Sequence, residues 1–95
     1  MSTNKTLANN ETTVGGWSPY GNLSPDDKQI FDEAMRGFVG VTYTPQSVSK
    51  QVVEGMLYRF KCNASIPPAE VVWEAIVEIF KPLKGKPYIT QIIKS

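Results

Sequence analysis

Residues 51–64 read QVVEGMLYRFKCNA and carry the clearest structural pattern in the chain. From Met56 onward its apolar and polar side chains alternate. One parity carries Met56, Tyr58, Phe60, Cys62 and Ala64. The other parity carries Leu57, Arg59, Lys61 and Asn63. An alternation with a period of two is typical of an antiparallel strand with one buried face and one face in water. The pattern therefore predicts a strand over residues 56–64.

The five residues before this strand, QVVEG at positions 51–55, occupy what should be a turn. Another strand is predicted on their other side, from residue 41 to about residue 50, with an interruption at Pro45. Turns favour Asn, Asp, Gly and Pro, whereas valine favours extended backbone. A turn built from glutamine and valine is chemically unusual, so these residues need an explanation other than turn formation.

A helix is predicted upstream of these strands. Ser24 is a favourable N-cap, Pro25 suits the first helical position, and two aspartates follow whose charge complements the helix N-terminus. Gly37 and Gly40 provide the stop. The apolar stripe between them, with spacings of three and four, consists of Ile30, Phe31, Ala34, Met35 and Phe38. The pattern predicts a helix over about residues 25–37 whose stripe faces a core.

Two more strands are predicted downstream. Residues 71–80 (VVWEAIVEIF) show strand alternation but also helical spacings, and their β-branched content favours strand over helix. Glu74 and Glu78 share the polar parity of this strand, and we expect both to be solvated. Residues 81–87 then form a turn and residues 88–93 a last strand. One helix followed by four strands in up-and-down order predicts an α+β domain of two layers.

Length and composition fit one small domain. The chain has 95 residues and a formal net charge of +1, which gives no electrostatic case for a nucleic-acid partner. We expect a disordered tail over residues 1–13, rich in Asn, Thr and Ser, and a single domain over residues 14–95. No apolar stretch approaches the roughly 20 residues that span a bilayer, so no membrane is expected as a partner. A lone cysteine and no visible secretory signal indicate a cytoplasmic location, with a secreted mature form as the alternative.

No cluster of residues points to catalysis or to a cofactor. The chain has no histidine, so Cys62 has no imidazole partner, and its parity is that of a small buried hydrophobe. Neither metal-ligand spacing nor a glycine-rich phosphate loop is present. Glu74 and Glu78 lie four residues apart on a strand, about 13 Å, which is too far for paired-carboxylate catalysis. We expect no enzyme, no metal and no cofactor.

Three turn-like segments remain as candidates for function, namely residues 14–16, 51–55 and 82–86. Alternate hairpins of an up-and-down sheet point to the same end, so the second and third segments should lie side by side. If the arm before the helix starts at that end, the three form one ridge. Its apolar tips are Val14, Val52, Val53 and Leu83. An exposed apolar patch of this kind usually marks the binding of a partner.

This arrangement resembles the cystatins, which are inhibitors of papain-like cysteine proteases. The family's signatures are a glycine near the N-terminus, matched here by Gly15-Gly16, and a first hairpin with the pattern Gln-x-Val-x-Gly, matched by Gln51, Val53 and Gly55. Residues 80–85 (FKPLKG) are similar to the second hairpin of the stefins, the disulfide-free, single-domain branch. The resemblance covers about residues 14–94. It implies an N-terminal helix packed on a four- to five-stranded antiparallel sheet.

The resemblance also implies a mechanism and a set of binding residues. The arm occupies the non-primed subsites of a papain-like protease and the two hairpins fill the primed side, so that the wedge covers the catalytic cysteine. The implied binding residues are Val14, Gly15, Gly16, Gln51, Val52, Val53, Glu54, Gly55, Pro82 and Leu83. The unusual stretch 51–55 is then explained as a contact surface.

An alternative within the same fold is an interaction or scaffold module that has no protease target, because a fold alone does not determine a function. We expect a monomer. A dimer that exchanges the first hairpin, as in stefins, is the alternative, since two β-branched residues in a tight turn suggest strain that opening would relieve.

Overall fold

The computed structural model describes residues 16–68 and 71–94. Its elements in chain order are α1 Pro25–Met35, β1 Thr42–Val53, β2 Gly55–Ser65, β3 Val72–Pro82 and β4 Tyr88–Lys94. The strands form one antiparallel sheet in the order β1-β2-β3-β4. The predicted α+β architecture is confirmed as one helix packed on a four-stranded sheet. The predicted tail of residues 1–13 lies outside the described residues, as do Val14 and Gly15.

Helix α1 begins at a capping box. The Ser24 amide donates to the Asp27 carboxylate at 3.0 Å, and the Asp27 amide donates to the Ser24 hydroxyl at 3.1 Å. These two bonds satisfy amides that have no partner within the helix. The helix ends at Met35 rather than near residue 37, because the backbone of Arg36 is already extended and Gly37 has a φ of +85°. Phe38, predicted as part of the apolar stripe, therefore lies beyond the helix and is 41% exposed.

The core lies between α1 and the inner face of the sheet. Along β2 the predicted alternation is confirmed from Tyr58 onward, since its buried hydrophobic side chains are Tyr58, Phe60, Cys62 and Ala64, while Met56 is half-buried. Phe31 of the helix meets Phe60 edge to face, with ring centroids 5.0 Å apart. Val77 and Ile79 of β3 are fully buried in the same cluster. The helix is therefore held on the sheet by aromatic and aliphatic packing.

Strand β3 confirms the preference for strand over helix in residues 71–80. Glu74 is exposed, as predicted. Glu78 is not solvated, however, and is only 8% exposed. The reason is the register of the sheet, which sets Glu78 between Arg59 on β2 and Gln91 on β4. These two long side chains cover the carboxylate on the outer face of the sheet.

Residues 51–55 are mostly strand rather than turn. β1 continues to Val53 and β2 begins at Gly55, so Glu54 alone lies between the two strands. The predicted extent of the turn is thus wrong, because the valines follow their preference for extended backbone and stay paired up to the tip. Extended backbone at Val52 and Val53 also removes the suggested source of turn strain. Exchange of this hairpin remains a prediction, without that reason to support it.

Candidate functional site

The two hairpins lie side by side at one end of the sheet. The register of β2 and β3 pairs Gly55 with Pro82 and Met56 with Lys81. The tip of the first hairpin, Glu54, is therefore next to the point where the second hairpin leaves the sheet, at Leu83. The sheet thus brings together all the predicted binding residues of both hairpins, from Gln51 to Gly55 and from Pro82 to Leu83.

Gly55 is required by the close approach of β3. Its φ is +122°, a backbone conformation that residues other than glycine rarely adopt. A Cβ atom at this position would lie 3.1 Å from the Pro82 Cα and 3.2 Å from the Phe80 Cε1, and it would overlap the Lys81 carbonyl oxygen. The close approach of β3 to β2 is therefore enough to require glycine at this position, whether or not another protein binds there.

We call the surface at this end the hairpin ridge, defined as Gly16, residues 51–55 and Pro82–Leu83. Its exposed apolar side chains are Val53, which is 37% exposed, and Leu83, which is 76% exposed. Glu54 is exposed between them, while Val52 and Pro82 are half-buried. Beyond Leu83 the connection carries two exposed lysines, Lys84 and Lys86. An apolar surface with a basic margin has the character of a protein-binding surface.

Residues 17–22, which we call the edge segment, run antiparallel along β1. Trp17 forms a bridge with Gln51, and Gly21 forms one with Val48. Gly21 and Val48 exchange two backbone hydrogen bonds, of 2.9 and 3.0 Å. The edge segment thus covers the outer edge of the sheet with backbone pairing, although it is too irregular to count as a strand.

Ser18 provides the other anchor of the edge segment. Its amide donates to the Lys50 carbonyl oxygen at 2.8 Å, and its hydroxyl accepts a hydrogen bond from the Lys50 amide at 2.9 Å. Because the segment is antiparallel to β1 and Trp17 lies opposite Gln51, the preceding residue, Gly16, lies on the side of Val52 and the tip of the first hairpin. Gly16 is placed at the ridge in this way. The other two predicted arm residues, Val14 and Gly15, lie outside the described residues.

Two aromatic side chains of the edge segment lie over cations on the outer face of the sheet. The Arg59 Cζ atom is 4.3 Å from the centroid of the Trp17 ring, and the Lys61 Nζ atom is 4.3 Å from that of Tyr20. Both are cation–π contacts. Sequence reasoning missed them. The polar parity of β2 shows that both cations point away from the core, but nothing in the sequence pairs them with aromatic residues of the edge segment.

Arg59 also forms an ion pair with Glu78, with 2.9 Å between its Nε and the carboxylate Oε1. The Thr90 hydroxyl donates to the other carboxylate oxygen at 2.7 Å, and the Gln91 side-chain amide donates to Oε1 at 3.2 Å. Burial alone raises the pKa of Glu78, but these hydrogen bonds and the charge of Arg59 outweigh it and hold the pKa below the usual glutamate value. Glu78 is therefore an anion whose carboxylate accepts hydrogen bonds from three side chains.

The chemistry available in the described residues is limited. Burial raises the pKa of the Cys62 thiol to about 12, so the thiol is neutral and shielded at ordinary pH. Among residues 16–68 and 71–94, no three His, Cys, Asp or Glu side chains are grouped so that they could hold a metal ion. The helix in this part of the chain is not one that could cross a membrane.

A second exposed apolar group lies at the opposite end of the sheet. There the register pairs Thr42 with Ser65 and Ser65 with Val72. The large hydrophobic side chains that are exposed in and around the two connections at this end are Phe38, Val39, Ile66, Val71 and Val72. Val39, at 83%, is as exposed as Leu83 of the hairpin ridge. The molecule therefore presents apolar side chains at both ends, and the two groups can be tested against each other.

The described residues thus provide an apolar ridge made of two hairpin tips, with an anchored segment leading into it. Known proteins assign no family to this arrangement: no protein-family model, no curated protein and no solved structure matches the chain.

Proposed function

We propose that the protein is a reversible, tight-binding inhibitor of papain-like cysteine proteases, with a cystatin-like fold of the stefin type. The observation that supports this most strongly is the pairing of Gly55 with Pro82, because it brings the two segments that resemble the family's binding hairpins to one end of the sheet. The bridge between Trp17 and Gln51 directs Gly16 to the same end. These are the three segments that the resemblance implies.

In this proposal the hairpin ridge enters the protease cleft as a wedge. Val53 and Leu83 contact the apolar walls of the cleft, and Gly16 leads the arm along its other half. Strand pairing holds the first hairpin up to Val53 and Gly55 and the second up to Pro82 before binding, so that little conformational entropy is lost there on docking. Complex formation is non-covalent on the inhibitor's side, because the Cys62 thiol is buried in the core and its pKa is raised to about 12. A buried, unpaired cysteine also suits a cytoplasmic location.

The first experiment is a titration of papain with the full chain, followed through hydrolysis of a fluorogenic peptide. We expect reversible inhibition at concentrations well below micromolar. Papain that keeps its full activity at micromolar inhibitor would overturn the proposal. In that case, size-exclusion chromatography that shows the chain as a homodimer, with a ridge substitution splitting the dimer, would favour the interaction module without a protease target.

The ridge itself is tested by replacing Val53 with aspartate. A carboxylate at this position would be buried without a partner at the contact, so we expect the inhibition constant to rise at least 30-fold, about 2 kcal/mol or more. The matched control is Val39→Asp, which introduces the same charge at an exposed valine at the other end of the sheet. We expect the control to inhibit like the wild type. Equal effects of the two substitutions would show that Val53 does not enter the cleft.

A further inference from the structure

A chain of side chains crosses the outer face of the sheet from the edge segment to β4. The Trp17 ring lies against the Arg59 guanidinium at 4.3 Å. Arg59 binds Glu78 at 2.9 Å, and Glu78 accepts from Thr90 and Gln91 on the last strand. The first member, Trp17, adjoins the hairpin ridge through Gly16 and Gln51, and no member of the chain is part of the ridge itself.

These contacts indicate that Glu78 fixes the position of Arg59 and that Arg59 in turn fixes the Trp17 ring. Glu78 is 8% exposed and accepts hydrogen bonds from three side chains, so its carboxylate has one defined position. The Nε of Arg59 is bound to that carboxylate, which orients the planar guanidinium. A fixed guanidinium then presents a defined cationic surface to the Trp17 ring, and an oriented cation–π contact fixes the ring in turn.

We propose that Trp17, held by Arg59 and Glu78, is a positioning residue that directs the N-terminal arm into the hairpin ridge. This inference rests on the proposed function. The backbone supports this inference. Trp17 forms a bridge with Gln51. Ser18, the next residue, forms two hydrogen bonds with the Lys50 backbone, one through its amide and one through its hydroxyl. With Trp17 fixed at this place, Gly16 lies beside the first hairpin, and a bound arm would start from a defined point. Without it, the position of Gly16 varies, and more conformational entropy is lost when the complex forms.

The anchor can be tested without a protease. Four forms of the full chain are compared by NMR, namely the wild type, Trp17→Leu, Trp17→Phe and Arg59→Met. We expect the Ser18 amide to exchange with solvent at least about tenfold faster in Trp17→Leu and Arg59→Met, and the Gly16 amide to become more mobile. Trp17→Phe keeps an aromatic face for the cation and should stay close to the wild type. The Phe60 amide, in the core of β2, reports whether the fold is intact.

Trp17→Leu is the more informative variant, because the ion pair between Arg59 and Glu78 remains in it. Arg59→Met removes this ion pair and can therefore destabilise the whole fold. For the carboxylate, Glu78→Gln is compared with Glu74→Gln, an exposed glutamate on the same strand and the same face. We expect only Glu78→Gln to speed the exchange of the Ser18 amide with solvent. If Ser18 and Gly16 behave in Trp17→Leu as they do in the wild type, the anchor does not exist.

The link to the arm is tested by a double-mutant cycle against papain. We expect Trp17→Leu to raise the inhibition constant by about fivefold to tenfold. If it acts by positioning the arm, it also reduces the effect of Val14→Asp, while the effect of Val53→Asp, in a hairpin held by strand pairing, is unchanged. Additive effects of Trp17→Leu and Val14→Asp would overturn the positioning role. A wild type that fails to inhibit papain would instead overturn the proposed function, and the amide exchange at Ser18 would still decide whether the anchor exists.

Discussion

Gly55 begins β2 and, because it has no side chain, also lets the backbone of β3 approach closely. It has a φ of +122° and faces the backbone of β3 so closely that a Cβ atom would overlap the Lys81 carbonyl oxygen. We expect Gly55→Ala to lower the free energy of unfolding by about 2 kcal/mol or more, from left-handed backbone strain and the displacement of β3 together. Urea denaturation followed by circular dichroism measures this loss.

The matched control for this prediction is Gly21→Ala in the edge segment. A Cβ atom at Gly21 meets nothing within 4 Å. We expect its stability to change by less than about 1 kcal/mol, since a methyl group there fills open space. A Gly55→Ala protein as stable as the Gly21→Ala protein would mean that β2 and β3 can separate at the ridge without loss.

At the residue scale, the sequence predicts a special role for residues 51–55 but not their conformation. The pattern Gln-x-Val-x-Gly marks the stretch as unusual, and the glycine does adopt a conformation that needs glycine. The turn itself shrinks to Glu54, because cross-strand pairing favours extended valines up to the tip. Propensities of single residues do not reveal how far two strands remain paired.

Helix α1 is tied to the sheet through its first turn. The Asp27 carboxylate accepts from the Ser24 amide and forms an ion pair with Lys50 of β1, with 2.8 Å between Oδ1 and Nζ. Burial raises the pKa of Asp27, but the bonds to Lys50 and Ser24 outweigh it and lower the pKa below the usual aspartate value. We expect Asp27→Asn to reduce the free energy of unfolding at pH 7 by about 1–2 kcal/mol.

The sign of the pH dependence follows from the lowered pKa. A carboxylate with a depressed pKa in the folded state stabilises the fold above its ordinary pKa, and this contribution is lost as the pH falls through the folded-state value. The difference between wild type and Asp27→Asn should therefore be constant above about pH 5 and shrink below about pH 4. The control is Asp26→Asn, an exposed aspartate in the same helical turn, for which we expect a smaller change. A difference for Asp27→Asn that does not vary with pH would contradict the ion pair.

At the element scale, periodicity predicts what each segment is and which face it buries. The alternation in β2 and the β-branched content of β3 lead to correct strands, and the caps of α1 lead to a correct start. The burial of Glu78 could not be predicted, because it depends on which residue of β2 faces it and on the bulge that shifts β4 after that point. Polar parity indicates the outer face, but long side chains from neighbouring strands can cover that face.

At the scale of the whole molecule, the order of the strands decides which parts of the chain can act together. Neighbouring strands that follow one another in sequence place the connections β1–β2 and β3–β4 at one end and the connection β2–β3 at the other. The edge segment, antiparallel to β1, adds Gly16 to the first of these ends. Three segments that are far apart in sequence therefore form one surface. The other exposed apolar group, around Val39 and Val72, lies at the opposite end of the sheet and is not part of this surface.

If the proposed function is correct, this division of the molecule predicts which residues a protease covers. We expect binding of papain whose active-site thiol is blocked by a methylthio group to shift or broaden the backbone amide signals of Gly16, Val52–Gly55 and Leu83–Gly85 together, because the three segments are covered at once. The amides of Phe38, Val39 and Ile66 at the other end should be unchanged. Two-dimensional NMR of the isotopically labelled chain measures all of them in one titration. Changes centred on Val39 and Ile66 would show that the opposite end binds. Changes in only one hairpin would show that the hairpin ridge does not act as a unit.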